Sequence, residues 1–391
     1  MSGEPPRDGL SRQVERALPD EQTFASPLRS TALTARLGIW LGIAFAVCFL
    51  TGLVSHFLQH PLLGSWRALT SPVWIYRVTQ GVHVTAGVAA IPLLVIKLWS
   101  VAPKFWRRPL FGGPVDALER LSILVLVAAG TFQLLTGVLN TAELYAWTFF
   151  FTTVHYAVAW VAIGAIVLHI AVKLPWIRAG LGAPVRQAPE ASAEPVRALS
   201  RRGMLGLAGG GAALAVITTI GDKVPFFSPV SVFSQRSGDG PQGLPVNHSA
   251  VSVGVVEAAS SPDWRLKVVG SDRSVALSLA ELAALPQRTA SLPMTCVEGW
   301  SAGAVWTGVP LRDLLAVVGE DPRDATVLSL ENGLYGASVV AASLVAIPDT
   351  LVALVLNGSP LDLDHGYPAR LIAPNRPGVL QTKWLRRIEV G

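Results

Sequence analysis

The chain has 391 residues, of which 51% are hydrophobic and only 15% are charged. Soluble globular proteins carry about 25% charged residues, so this composition excludes a wholly soluble protein. The two cysteines, Cys48 and Cys296, are too few for a disulfide-stapled miniprotein, and the low charge excludes a long disordered polymer. At about 100–200 residues per domain, the length predicts two or three structural units.

The formal net charge of +5 is unevenly distributed along the chain. Residues 1–221 hold 18 Lys/Arg and 10 Asp/Glu, a net of +8, whereas residues 222–391 hold 13 and 16, a net of −3. A membrane explains the basic first half better than a nucleic acid does, because no basic stripe is interleaved with aromatic residues in the acidic half. We therefore expect a lipid bilayer as a partner and no nucleic acid.

In chain order, residues 1–30 are polar and predict a disordered cytoplasmic tail without a cleavable signal. Residues 31–178 predict a four-span membrane domain. Its charge-free stretches are 37–58, 78–96, 121–142 and 144–172, and about 20 apolar residues cross a bilayer as a helix. Residues 179–200 predict a linker. Residues 201–221 predict a weaker fifth span, because glycine lowers helix stability.

Lysine and arginine predict the orientation of these spans. With the N-terminus in the cytoplasm, 16 of the basic residues before position 222 lie inside and only Arg67 and Arg77 lie outside. This bias predicts a multi-pass protein of the bacterial cell membrane with a cytoplasmic N-terminus. Five spans then place residues 222–391 outside the cytoplasm.

A pair of arginines precedes the fifth apolar stretch, in Ser200-Arg201-Arg202-Gly203. A paired arginine before a weakly hydrophobic, glycine-rich segment resembles a twin-arginine export signal, which carries proteins already folded around their cofactors. The alternative is that both arginines only obey the charge rule for membrane orientation.

Five of the seven histidines lie in or beside the predicted spans: His56, His60, His83, His155 and His169. Ionisable residues inside a bilayer are costly and are functional candidates. His83 and His155 lie at similar depths near the outer side, and could ligate one b-type haem axially. This half resembles the cytochrome b membrane subunits that take electrons from quinols. Alternatively, the histidines form hydrogen bonds between helices, or the haem site has been lost. His56 is another candidate ligand, and His169 lacks a partner at its depth.

Residues 230–391 alternate short apolar runs with turn residues and predict a mainly β, α+β domain. The expected helices cover 278–285 and 310–318. The expected strands cover 264–270, 325–330, 351–356, 369–373 and 384–390.

Cys296 is the only cysteine of this domain, and Cys48 lies in a span. An unpaired thiol there is either buried and inert or bound to a metal. The run Met294-Thr295-Cys296-Val297-Glu298-Gly299-Trp300-Ser301 resembles the sulfite oxidase superfamily, in which this cysteine binds molybdenum beside a molybdopterin. A soft thiolate suits such a centre.

Three further stretches resemble cofactor-binding motifs of that superfamily. Asn247-His248 resembles the pair near the pterin, and His365-Gly366-Tyr367-Pro368-Ala369-Arg370 resembles the stretch that contacts pterin and phosphate. Lys383-Trp384 resembles the terminal cofactor-binding lysine. Arg370 and Lys383 would supply cations for the phosphate, while His365 and Asn247 would bond the pterin edges.

The residue two positions after the cysteine departs from the sulfite oxidase pattern. Sulfite oxidases and nitrate reductases supply an arginine for their anionic substrate in this run, whereas this chain has Glu298 and no arginine there. A carboxylate repels sulfite or nitrate at close range. The run is closer to the periplasmic methionine sulfoxide reductase type.

The resemblance implies a membrane-anchored molybdopterin-dependent oxidoreductase, with Cys296 and Glu298 as its catalytic residues. Electrons would pass from quinol through haem b to molybdenum and reduce a small-molecule substrate such as a sulfoxide or N-oxide. Two alternatives stay open. The same enzyme could oxidise a small substrate and feed electrons to the membrane, or the chain could be a binding module that has lost its cofactors.

Overall fold

The computed structural model describes residues 26, 28–59, 70–107, 113–144, 149, 151–183, 200–221, 225–234, 240–333 and 335–391. The predicted tail of residues 1–30, the linker of 179–200 and His60 lie largely or wholly outside this part of the chain. The chain divides into two compact units. One comprises Met1–Leu50 and Val84–Thr218, and the other comprises Thr51–His83 and Thr219–Gly391.

Four helices are long and apolar enough to cross a membrane: α1 (Thr31–Gln59), α2 (Ile75–Phe105), α3 (Pro114–Thr141) and α4 (Phe151–Gly182). They confirm the four expected spans, although each helix extends beyond its charge-free stretch. The largest difference is in α4, which begins at Phe151 instead of 144 and continues to Gly182. The Lys173 ammonium forms an ion pair with Glu119 of α3, so the helix continues beyond its charge-free stretch without leaving that charge unpartnered.

The fifth apolar stretch is a shorter helix, α5 (Arg201–Ile217), of 17 residues. At 1.5 Å per residue it is about 25 Å long, less than the roughly 30 Å of a bilayer core. Ser200 caps it by accepting a hydrogen bond from the Gly203 amide at 3.0 Å. Leu33 and Leu37 of α1, Leu93 of α2, and Met204 and Ala208 of α5 share one apolar cluster.

Residues 256–391 form a mainly β domain with two larger sheets, which confirms the expected fold class. Its helices are α6 (Val256–Ser260), α7 (Leu279–Ala284), α8 (Leu311–Ala316) and α9 (Ala342–Val345). Its strands are β1 (Leu266–Val269), β2 (Ser274–Leu277), β3 (Arg288–Ser291), β4 (Met294–Thr295), β5 (Ser301–Ala302), β6 (Val305–Pro310), β7 (Ala325–Ser329), β8 (Ala337–Val340), β9 (Leu351–Leu356), β10 (Ser359–Pro360), β11 (Arg370–Ile372) and β12 (Leu385–Val390).

The first sheet has the order β2-β1-β12-β7-β8, in which only the β1–β12 pair is parallel. The second has the order β10-β9-β6-β3, with β11 also paired to β9. The sequence of β9, a continuous apolar run, fits its central place there, because neighbouring elements cover both faces. Gly308 of β6 is needed at a bulge, since a Cβ there would lie 2.1 Å from the Val352 carbonyl oxygen.

The sequence pattern did not predict β3 and β6, which are adjacent in the second sheet. Threonine, serine and glycine interrupt their apolar pattern, so they do not read as buried strands. They matter to the site, because β6 carries Trp306, whose ring lies below the Arg370 guanidinium. The short hairpin of β4 and β5, which flanks Cys296, was also not predicted.

Candidate molybdopterin site

Cys296 occupies a tight, buried turn between β4 and β5. Its amide donates to the Trp300 carbonyl at 3.0 Å, and the Gly299 amide donates to the Cys296 carbonyl at 3.1 Å. Gly299 has φ +103°, a conformation that glycine adopts without strain. The thiol is 3% exposed. Burial, and after it the nearby Glu298 carboxylate, raises the pKa of the Cys296 thiol far above its usual value.

Glu298 and Asn247 lie beside the cysteine. The Asn247 amide nitrogen lies 3.4 Å from the Cys296 sulfur and also donates to Glu298 Oε2. The Trp300 indole N–H donates to the same carboxylate oxygen at 3.0 Å. The Glu298 carboxylate is therefore fixed next to the sulfur. Trp300 thus belongs to the cluster, a role that its place in the sequence motif did not predict.

Arg370 is a buried cation, 5% exposed, and no carboxylate of the described residues pairs with it. One guanidinium nitrogen donates to the His365 carbonyl at 3.2 Å, and another lies 3.7 Å from the Met294 sulfur. Its Nε has no hydrogen-bond partner among the described residues. Burial lowers the pKa of Arg370 to about 10. Its guanidinium carbon lies 5.6 Å above the centre of the Trp306 ring.

Lys383 and His365 lie on the same side of the domain as Arg370. The Lys383 ammonium donates to the carbonyls of His248 and Asp364, both at 2.7 Å. Burial, and after it the Arg370 charge, lowers the pKa of Lys383 to about 7. The same two causes lower the pKa of His365 to about 4, so its ring is neutral and its Nε2–H donates to the Pro241 carbonyl at 2.6 Å.

A glycine allows these cations to approach each other. Gly366 has φ +103°, and a Cβ there would lie 3.0 Å from the Lys383 Cβ and 3.3 Å from the Arg370 Cβ. Two cations at close range repel each other, so an anionic group bound between them would stabilise both. His248 itself is exposed, and its ring centre lies 5.2 Å from that of Tyr335. Burial, then Cys296 and Glu298, raises the pKa of the Tyr335 phenol.

Two observations support the fit of these site residues to a molybdopterin. Asn247 Oδ1 and Arg370 Nε are buried polar atoms without a partner among the described residues, and such atoms are rare unless a ligand or water satisfies them. Arg370 and Lys383, which form no ion pair with a carboxylate among the described residues, also suit a phosphate. In the described part of the chain no three His, Cys, Asp or Glu side chains converge on a metal position. A centre with one protein thiolate and a dithiolene from the cofactor needs no such cluster.

His83 lies in α2, and its Nδ1 is 3.2 Å from the Thr51 hydroxyl. A Cβ at Gly52 would lie 3.3 Å from the same ring, so the small residue leaves room for the imidazole. His155 lies in α4, and its Nδ1 is 3.2 Å from the Thr136 hydroxyl of α3. The expected haem pair therefore consists of two histidines that each have a threonine hydroxyl at Nδ1.

Comparisons with known proteins identify the type of the C-terminal domain. Residues 252–391 match the oxidoreductase molybdopterin binding domain. Mitochondrial sulfite oxidase of Drosophila melanogaster is 30% identical over 192 residues, which is 42% of this chain and 31% of that protein. The putative protein-methionine-sulfoxide reductase subunit YedZ1 of Azospira oryzae is 36% identical over 139 residues, 34% of this chain and 50% of that protein.

The sulfane dehydrogenase SoxCD of Paracoccus pantotrophus is a solved structure with 25% identity. Its TM-score is 0.35, and the match covers 40% of this chain and 44% of that one. The chain thus spans no more than half the length of these relatives. The matched region coincides with the mainly β domain and its cysteine turn. Residues 252–391 are therefore an oxidoreductase molybdopterin-binding domain, which follows four helices able to span a membrane.

Proposed function

We propose that this protein is a membrane-anchored molybdenum oxidoreductase that reduces a small, neutral oxidised substrate such as a sulfoxide or an N-oxide. One observation carries the proposal: the buried Cys296 lies beside a fixed carboxylate, and nearby lie Arg370 and Lys383, which form no ion pair within the described part of the chain. Asn247, His365, Arg370 and Lys383 would hold the molybdopterin, and Cys296 would bind its metal. When bound, the molybdenum centre supplies oxygen-atom transfer.

Glu298 selects against anionic substrates. Its carboxylate accepts from Trp300 and Asn247 and is 6% exposed, so its charge acts across a medium with little water to screen it. A neutral sulfoxide or N-oxide does not meet this repulsion. The overall reaction balances when a quinol supplies two electrons and two protons, the substrate loses its oxygen, and water is released.

The membrane half would deliver the electrons through a b-type haem held by His83 and His155. The Thr136 hydroxyl donates to the Phe132 carbonyl at 2.7 Å, so its oxygen accepts from His155 Nδ1–H. With Nδ1 protonated in this way, Nε2 would carry the lone pair that a haem iron binds. A hydrogen bond at Nδ1 is the usual second interaction of a metal-bound histidine.

The proposed topology follows the charge bias and requires α5 to cross the membrane as a fifth span, which puts the N-terminus in the cytoplasm and the molybdopterin domain outside. Arg201 and Arg202 stand in the first turn of α5, where the helix dipole disfavours cations. Helix stability therefore does not explain them. Either an export signal or the orientation rule does, and the cofactor-loaded domain favours the export signal.

A second candidate is the same enzyme running as an oxidase, and the identity with sulfite oxidase over the molybdopterin domain favours it. The Glu298 carboxylate opposes it for sulfite itself. Reduction of the haem spectrum on addition of a small reduced substrate would distinguish this direction of electron flow.

The first test uses the full chain, purified in detergent from a host that makes the cofactor. We expect molybdenum near one atom per chain by mass spectrometry and a b-type reduced-minus-oxidised spectrum. Viologen-driven reduction of dimethyl sulfoxide and trimethylamine N-oxide should accompany them. Cys296→Ser should abolish turnover with the fold retained, whereas Cys48→Ser, the matched cysteine in α1, should keep it. Absence of molybdenum from the unaltered protein would contradict the proposal.

A further inference from the structure

The cysteine turn has a neighbour distant in sequence within the same compact unit: the segment 70–83, which includes the start of α2. The Gln80 side-chain amide donates to the Val297 carbonyl at 3.0 Å, and Val297 stands between Cys296 and Glu298. The Ser55 hydroxyl donates to the Gln80 amide oxygen at 3.3 Å. Gln80 is 8% exposed, so this contact is buried.

The same segment is fixed a second time by Asn375. The Asn375 side chain accepts from the Tyr76 backbone amide at 3.1 Å and donates to the Pro72 carbonyl at 2.9 Å. Asn375 belongs to the loop that continues to Gly378, and a Cβ at Gly378 would lie 3.7 Å from the Cys296 Cα. The start of α2 is therefore held against both the loop and the turn that surround the cysteine.

Tyr76 lies one helical turn before Gln80, on the same face of α2. Its side chain is 1% exposed. The phenol hydroxyl has no hydrogen-bond partner among the described residues, and it lies within electrostatic reach of both Cys296 and Glu298. A buried hydroxyl without a partner costs free energy, and a bound molecule would relieve that cost.

Two of the polar donors next to the cysteine already have acceptors, whereas Arg370 Nε, like the Tyr76 hydroxyl, has none among the described residues. The Trp300 indole and the Asn247 amide both donate to Glu298 Oε2. Arg370 points toward the His365 carbonyl and the Met294 sulfur. The Tyr76 O–H is thus a donor near Cys296 that no described protein group accepts.

We propose that Tyr76 belongs to the Cys296 site and that its phenol donates a hydrogen bond to the oxygen atom of a sulfoxide or N-oxide bound there. Gln80 and Asn375 act as positioning residues that hold the phenol against the cysteine turn. The substrate class rests on the proposed function. The assignment of Tyr76 to the site rests on the burial and contacts of this segment.

The test compares holoenzyme carrying Tyr76→Phe with unaltered holoenzyme, using dimethyl sulfoxide and trimethylamine N-oxide as probes. Tyr156→Phe is the control, because Tyr156 is a tyrosine of α4 whose ring contacts Trp160. Loss of one hydrogen bond predicts a KM higher by roughly threefold to tenfold in Tyr76→Phe. The molybdenum content and the unfolding temperature should not fall, since the Tyr76 hydroxyl has no hydrogen-bond partner among the described residues. The control should match the unaltered enzyme.

A second readout separates the two proposals. The electron paramagnetic resonance spectrum of the partly reduced molybdenum, recorded with and without dimethyl sulfoxide, should differ between Tyr76→Phe and the control. If the unaltered enzyme reduces neither probe, the proposed substrate class is wrong, but a change in this spectrum still supports Tyr76 in the site. Unchanged KM values together with unchanged spectra would overturn the assignment, as would a Tyr76→Phe protein that loses molybdenum by unfolding.

Discussion

Arg370 offers a test of the cofactor site that does not need the substrate. Burial lowers its pKa from 12.5 to about 10, and each pKa unit corresponds to about 1.4 kcal/mol. A folded-state pKa below the unfolded one means that the charged form opposes folding at every pH below about 10. The cofactor-free protein therefore has about 3 kcal/mol of unfavourable charge burial at neutral pH.

Arg370→Met removes that charge and keeps an apolar stem of similar length. It also removes the hydrogen bond to the His365 carbonyl, which contributes about 1 kcal/mol. We expect the cofactor-free variant to be more stable by about 2 kcal/mol, which raises Tm by roughly 4–8 °C for a domain of this size. The same variant should lose most of its molybdenum when the host supplies the cofactor, because the anionic group loses its buried cation.

Arg376→Met is the matched control. Arg376 is also 5% exposed, and burial also lowers its pKa to about 10. In contrast to Arg370, its guanidinium donates to the carbonyls of Leu380 and Val339, at 2.9 and 2.8 Å. Its removal relieves a similar charge cost but leaves two carbonyls without a donor, so at about 1 kcal/mol per hydrogen bond we expect a smaller gain than for Arg370→Met, about 1 kcal/mol.

The assay is thermal unfolding of the full chain in detergent, prepared from hosts with and without molybdopterin synthesis, alongside molybdenum analysis. A cofactor-free Arg370→Met protein that is no more stable than Arg376→Met, and that still binds molybdenum fully, would refute this reasoning.

Three further predictions concern charge, pH and haem. Glu298→Gln keeps an oxygen that accepts from Trp300 but removes the negative charge. Inhibition by sulfite in a viologen assay should therefore strengthen at least about tenfold. Unchanged inhibition would count against the repulsion of anions by Glu298. Burial lowers the pKa of Lys383 to about 7, so between pH 7 and 10 the unfolded state binds more protons than the folded state, and the cofactor-free protein should become more stable as the pH rises. In Lys383→Met, the unfolding temperature should change less over the same pH range. His155→Ala should abolish the b-type spectrum, whereas Thr136→Val should lower haem affinity by about 10–100-fold; an unaltered spectrum in both would exclude His155 as a ligand.

A residue of this site could be predicted from the sequence only when it belonged to a contiguous motif. Cys296, Glu298, Arg370 and Lys383 stand in short runs whose residue types and order resemble a known cofactor site, so they could be named without coordinates. Tyr76 could not, because it belongs to a hydrophobic helix about 220 positions earlier in the chain. An apolar span with one tyrosine near its end is typical of any membrane helix.

The sequence by itself determined the four long apolar helices, the mainly β domain and the cysteine motif, because hydrophobic runs, alternation and turn residues act over short distances. The tertiary structure alone decided where α4 begins, that β3 and β6 pair, and that Asn247 and Trp300 share one oxygen of Glu298. It also decided that Arg370 is buried without an acidic partner. These features depend on contacts between residues far apart in the chain, which no local pattern encodes.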